Sequence, residues 1–142
     1  MKRCLISFSG RKDGNCSAIA QVLSGAVSGR DQVKYYDFST FRLTPCGQCG
    51  YECFQNRARC PFFGDPVFGI YNAIVHSDMS YFIVPNYCDY PCANFFIFNE
   101  RGQCFFQGRP ELLGQYEKTP KQFIVVSNTG RDNFTAAFRY HT

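Results

Sequence analysis

Tryptophan is absent from the 142 residues, Met and His occur twice each, and charged side chains make up only 18%. His76 falls at the end of an apolar helical pattern and His141 next to the last residue. Neither has the neighbours of a Ser-His-Asp set or a metal pair, so both read as structural. No apolar run approaches the ~20 residues of a membrane helix, because Asp89 separates the uncharged stretches Met79 to Cys88 and Tyr90 to Asn99. The basic start Met1-Lys2-Arg3 leads into an apolar stretch that Gly10-Arg11-Lys12-Asp13 cuts short. Neither a secretory leader nor a membrane partner is therefore expected, and the expected location is cytoplasmic. Lys+Arg 15 against Asp+Glu 11 gives a net charge of +4 with no concentrated basic run, so nucleic acid is not an expected partner. Both G-x-x-x-x-G-K-[ST] and G-x-G-x-x-G are missing, which excludes a nucleotide P-loop and a dinucleotide loop. There is no internal repeat and no linker.

What the chain has is aromatic and sulfur-rich: 16 Phe, 9 Tyr and 9 Cys in a sequence that is 45% hydrophobic. That suffices for a single core, and residues 1–142 read as one domain with a Cys-rich insertion at about 44–64. Cys4-Leu5-Ile6-Ser7-Phe8 is a strand ended by Ser9-Gly10, and Ala18, Ile19, Val22, Leu23 and Ala26 then form one helical stripe. Val33 to Phe38 reads as a second strand. Thr44 to Gly64 carries Cys, Gly and Pro without periodicity and reads as an excursion. Asp65-Pro66 supplies an N-cap and a first helical position for a helix with Val67, Ile70, Tyr71 and Ile74 on one face. Tyr81 to Val84, stopped by Pro85, and Phe123 to Val126, stopped by Ser127-Asn128-Thr129-Gly130, are two further strands. A last helical stretch starts at about Asp132. Strands alternating with helices predict an α/β fold with a parallel sheet, whose ligands sit beyond the strands' carboxyl ends. Three loops therefore matter most: Ser9 to Ser17, Pro85 to Ala93 and Ser127 to Asn133.

The first of these loops joins a strand to a helix and combines backbone N–H groups at a helix N-terminus with glycines, hydroxyls and two cations. Such a set suits a phosphate, although a polar turn would use the same residues. Phe8-Ser9-Gly10-Arg11-Lys12-Asp13-Gly14-Asn15-Cys16 resembles the G-S-x-R-x-x-G-N-T loop of the flavodoxin-like NAD(P)H-dependent FMN reductases and their relatives, the iron–sulfur flavoproteins. Ser9, Arg11, Gly14 and Asn15 match, while Phe8 replaces the first Gly and Cys16 the Thr. Pro85-Asn86-Tyr87 is similar to the family's P-x-Y after the third strand, Glu100-Arg101 to its Asp-Arg, and Gly130 to a glycine after the fourth strand. The resemblance implies a flavodoxin-like three-layer sandwich that binds FMN and takes NAD(P)H as co-substrate. It places the FMN phosphate on Ser9, Arg11, Gly14, Asn15, Cys16 and Ser17. The flavin ring would lie beside Pro85, Asn86, Tyr87 and Cys88, with Thr129 and Gly130 completing the site. No side chain need act as catalyst, because the flavin carries the chemistry toward a small-molecule electron acceptor.

Cys46-x2-Cys49-x3-Cys53-x6-Cys60 puts four soft thiolates within fifteen positions, close enough to converge on one metal centre. The iron–sulfur flavoproteins carry a similar set as C-x2-C-x2-C with a fourth Cys, and here Glu52 is inserted before Cys53. Three states stay open for these cysteines: a [4Fe–4S] cluster, structural zinc, or thiols without metal, free or paired. Cys88 and Cys92 could meet the ring edge, form a redox pair, or simply fill space, as expected of Cys4 and Cys104. The rival to an FMN-dependent oxidoreductase is a non-catalytic electron carrier or a zinc-binding interaction module. An isoelectric point of about 8.6 argues against the carrier, since flavodoxins that shuttle electrons are acidic. A flavodoxin-like sheet has five parallel strands, and the pattern after Val126 leaves the fifth missing or truncated. The fourth strand is then an edge that a helix or a partner must cover, and a homo-oligomer is expected.

Overall fold

The computed structural model describes residues 1–27, 29–130 and 133–141. Strand β1 (Lys2–Ser7) leads to helix α1 (Asn15–Val27) and strand β2 (Gln32–Asp37). Two single 3-10 turns, Glu52–Phe54 and Arg57–Arg59, interrupt the excursion before α2 (Pro66–Val75). Next come β3 (Met79–Tyr87), the two-residue β4 (Tyr90–Pro91), α3 (Ala93–Phe106), α4 (Pro110–Lys118), β5 (Lys121–Val126), α5 (Phe134–Phe138) and a final 3-10 turn, Arg139–His141. β1 pairs in parallel with β2 (Leu5 opposite Tyr35) and with β3 (Leu5 opposite Tyr81), and β3 pairs in parallel with β5 (Phe82 opposite Phe123). The parallel order is thus β2-β1-β3-β5, the flavodoxin-like order without its outermost strand. Among the described residues no strand pairs with the outer edge of β5. Asp132, the expected start of the last helix, lies outside the described residues.

Side chains alternate across each strand and so build two unequal cores. On one face Cys4, Ile6, Phe8, Phe82 and Val84 are covered by α2, α3 and α4 in an aromatic cluster. Tyr71 stacks on Phe98 at 4.3 Å within it, and Phe8 meets Phe82, Phe95 and Phe98 at 5.3–5.5 Å. On the other face α1 packs Cys16 and Ala20 against Ile83, while Ile124 and Val126 stay half-buried. The helices on both faces give the three-layer sandwich. Among the described residues no helix is long and apolar enough to cross a membrane.

Four details depart from the sequence reading. β2 begins one residue earlier than expected and ends before Phe38. α1 turns its small residues Cys16, Ser17 and Ala20 inward; of the expected stripe Ile19 and Leu23 pack against them half-buried, whereas Ala18 and Ala26 are exposed and Val22 is 72% exposed. β3 runs through Pro85, which lies in register with Val126. Odd residues of β3 bond toward β1, as the Phe8 N–H does to the Ile83 carbonyl at 3.0 Å, and that ladder ends at Ser7. Pro85 therefore removes an N–H that would have had no strand to meet. Finally, α3, α4 and β4 occupy stretches that carried no expected element.

Candidate functional site

The loop after β1 is tied down before it reaches α1. The Phe8 carbonyl accepts hydrogen bonds from Asn94 Nδ2 at 3.0 Å and the Cys92 thiol at 3.3 Å, which fixes the start of α3 against the end of β1. Ser9 is buried, and its Oγ accepts the Arg11 N–H at 3.1 Å, closing a tight polar turn. Asp13 takes a left-handed φ of 55°, and the Gly14 carbonyl accepts the Ala18 N–H at 3.0 Å, so the first-turn amides of α1 point out toward the loop. Arg11 lines the same cleft as Gly14 and Asn15 at this helix N-terminus, a kind of position that in general favours negative charge.

β3 leaves the sheet through a two-residue hairpin in which Tyr87 pairs with Tyr90 while Cys88 and Asp89 both have positive φ, 52° and 65°. A polar network links this hairpin to the loop after β5. Asn86 Nδ2 donates to Ser127 Oγ at 2.7 Å and to Thr129 Oγ1 at 3.3 Å, and Thr129 Oγ1 donates to Asp89 Oδ1 at 2.8 Å. Asn86 Oδ1 is buried with no hydrogen-bond partner.

Between the loops lies a cleft of 610 Å3 at the carboxyl ends of β1, β3 and β5. Ser9, Arg11, Gly14, Asn15 and Cys16 form its wall on the α1 side, and Pro85, Asn86, Tyr87 and Cys88 face them. Nine expected residues thus converge on one space. Asp13, Val126, Ser127 and Asn128 also line it and were not singled out from the sequence, although the polar stop Ser127-Asn128 after a strand was the available signal. Ser17, Thr129 and Gly130 are not part of the wall. Ser17 is buried and donates to Asp37 Oδ2 at 3.3 Å, because its position in the first turn of α1 points toward β2. Thr129 is occupied by Asn86 and Asp89, and so supports the wall from behind. Burial, with smaller contributions from Cys92 and Asp37, pushes the Cys16 thiol up to about 11, so the residue replacing the family's Thr is a neutral S–H group at neutral pH.

The Cys-rich loop is held by a buried arginine. Arg101 on α3, 1% exposed, forms an ion pair with Asp65 Oδ2 at 2.8 Å, donates to the Thr44 carbonyl at 3.1 Å and lies 4.4 Å over the Phe62 ring. Asp65 Oδ1 meanwhile accepts the Val67 N–H at 3.0 Å and caps α2. Glu100 Oε2 accepts the Cys46 N–H at 3.3 Å. The Glu100-Arg101 pair matched to the family's Asp-Arg therefore anchors the excursion. All nine cysteines are free thiols. Burial foremost, then Cys49 and Cys53, raises the Cys46 thiol, so these three sulfurs are neighbours. Among the described residues, however, no three His, Cys, Asp or Glu side chains are arranged to hold a metal ion. Cys46, Cys49, Cys53 and Cys60 as placed do not form such a set. His76 Nδ1 donates to the Asn72 carbonyl at 2.8 Å, and His141 Nδ1 pairs with Tyr116 Oη at 2.6 Å.

No protein-family model matches the chain, and no curated protein sequence matches it. Solved structures share its fold. FerB, a flavoenzyme NAD(P)H:(acceptor) oxidoreductase from Paracoccus denitrificans, gives a TM-score of 0.63 at 16% identity over 91% of this chain and 62% of its own. A flavone reductase gives 0.62 at 15% identity over 94% of this chain and 46% of its own. The apo form of an NADH:FMN oxidoreductase, EMOB, gives 0.53 at 12% identity over 87% and 75%. The chain thus spans less than two thirds of the length of the first two structures. At these identities the likeness establishes architecture: the chain has the α/β, flavodoxin-like fold on which these reductases are also built.

Proposed function

We propose that the cleft binds FMN and that the protein is an NAD(P)H-dependent oxidoreductase passing electrons to a small-molecule acceptor. The observation that carries this reading is the convergence of Ser9, Arg11, Gly14, Asn15 and Cys16 with Pro85, Asn86, Tyr87 and Cys88 around one cleft at the strand ends. The names of the three structural neighbours, all flavin or flavone oxidoreductases, point the same way. FMN, when bound, supplies hydride uptake and onward electron transfer. Arg11 and the amides at the start of α1 hold the phosphate. Asn86 Oδ1, buried without a donor, would be available to accept a hydrogen bond from the bound group. Tyr87, 47% exposed at the cleft mouth, walls the ring and limits water. The neutral Cys16 thiol tolerates an anion beside it.

Arg11→Ala combined with Asn15→Ala should weaken FMN binding roughly 10- to 100-fold, the range expected for lost charge-assisted hydrogen bonds, with far-UV circular dichroism unchanged. Unaltered affinity would reject the phosphate assignment. Anaerobic stopped-flow mixing of the FMN-bound protein with NADH or NADPH should bleach the flavin absorption. Failure with both would favour the electron-carrier reading. The donor arrangement does not support an iron–sulfur cluster, and iron and sulfide assays on anaerobically purified protein test that point. The reading also includes one FMN-binding domain, a cytoplasmic location suited to nine unpaired thiols, and self-association through the open edge of β5.

A further inference from the structure

Cys104 was expected to fill space, yet it joins the Cys-rich loop to α3. It is 1% exposed, and its thiol lies 3.9 Å from the Arg57 carbonyl. That same oxygen accepts the Cys60 N–H at 3.1 Å, so both cysteines are held on one atom at the end of the 3-10 turn Arg57–Arg59. Cys60 and Cys53 are neighbours of the Cys104 thiol; burial first, and these neighbours next, push it up. Cys60 is half-exposed, whereas Cys53 is buried. A groove that reaches this turn through Arg57 is lined also by Arg109, Phe63 and Phe105, with Asp65, the partner of Arg101, on its wall. Arg57 Nη1 is buried with no hydrogen-bond partner. Arg109 is lowered by burial and then by the charge of Arg57, so two guanidinium groups share this groove. A half-buried thiol, a buried thiol neighbouring it and two nearby guanidinium groups make a site for thiol exchange with an anion.

We propose that Cys60 and Cys104 form a dithiol site that exchanges with an anionic low-molecular-weight disulfide and closes a Cys60–Cys104 bond. The Cys60 thiolate attacks one sulfur of the small disulfide, whose S–S bond breaks, leaving a mixed disulfide on Cys60 and releasing one small thiolate. The Cys104 thiolate then attacks the Cys60 sulfur, the mixed disulfide breaks, and the second small thiolate leaves. The two protons given up by the protein thiols end on the two released thiols. Two protein thiols are oxidised by two electrons, and one small disulfide is reduced.

The test treats the full chain with oxidised glutathione, quenches with acid, alkylates, and maps the peptides by mass. The expected product lacks two hydrogens, carries no glutathione, and joins the Cys60 peptide to the Cys104 peptide. Cys104→Ser should stop at one glutathione on Cys60, as should Cys104→Ala if the serine variant fails to fold. Cys53→Ser should behave as wild type. The uncharged bis(2-hydroxyethyl) disulfide should react several-fold more slowly than glutathione disulfide, and high salt should narrow the gap. The proposal is overturned by a wild-type glutathione adduct that never resolves, by a Cys53–Cys104 link in place of Cys60–Cys104, or by equal rates with both disulfides. Protection of Cys60 and Cys104 by stoichiometric bound metal would overturn it as well.

Discussion

Arg101 is almost fully buried, and Asp65, Thr44 and Phe62 all depend on it. Removing one partner of a buried ion pair leaves the other charge without compensation. Because Asp65 keeps a quarter of its side chain exposed, Arg101→Met should cost toward the low end of the usual range, on the order of 2–3 kcal/mol, read from urea midpoints. Limited proteolysis of that variant should cut first between residues 44 and 64, since this excursion is tied to α3 through the lost side chain. His141 makes a second prediction at this scale. Burial and then the Lys121 cation push its imidazole down to about 4 from 6.5, and its Nε2 has no hydrogen-bond partner. The unfolded chain therefore takes up a proton near pH 6.5 that the folded chain refuses until about 4. Stability should fall by roughly 2–3 kcal/mol as pH drops through that window, and His141→Gln should lack this share of the acid slope.

At the scale of elements, α3 shows why some of the structure was legible in the sequence and some was not. Its buried side carries Phe95, Phe98, Arg101, Gly102 and Phe105, so a cation and a glycine interrupt the apolar stripe that marks a helix. Gly102 is there because Tyr71 crosses it: an added Cβ would lie 2.7 Å from Tyr71 Oη and 3.1 Å from Cζ. The Tyr71 ring cannot withdraw, since it stacks on Phe98 and its hydroxyl donates to the Phe98 carbonyl at 2.8 Å. Gly102→Ala should thus destabilise by about 1–3 kcal/mol, lowering the thermal midpoint, with little change at the cleft. α4 buries only Tyr116 and offers no stripe to read. α2, by contrast, was readable because Asp65-Pro66 both signals and makes its start. The position of the cleft loops was readable for a related reason: the strand ends fix where they lie. Ser17 turns away from the cleft to Asp37, because sequence does not say which way a first-turn side chain points.

For the whole molecule, the unequal faces of the sheet govern behaviour in solution. One face is closed by three helices, while the α1 face leaves Ile124 and Val126 half-buried and the β5 edge leaves Val125 40% exposed. An open edge of this kind invites pairing. Light scattering should find a dimer, and Val125→Lys should yield a monomer with the same affinity for FMN; a wild-type monomer at high concentration would remove self-association from the account. The central claim is that the cleft is a flavin site, and titration of FMN fluorescence with the purified chain tests it most directly. Saturable quenching at one FMN per chain, lost in the Arg11→Ala/Asn15→Ala double variant and retained in Cys60→Ser, is the predicted result. No saturable quenching, or quenching that survives the double variant unchanged, would contradict it.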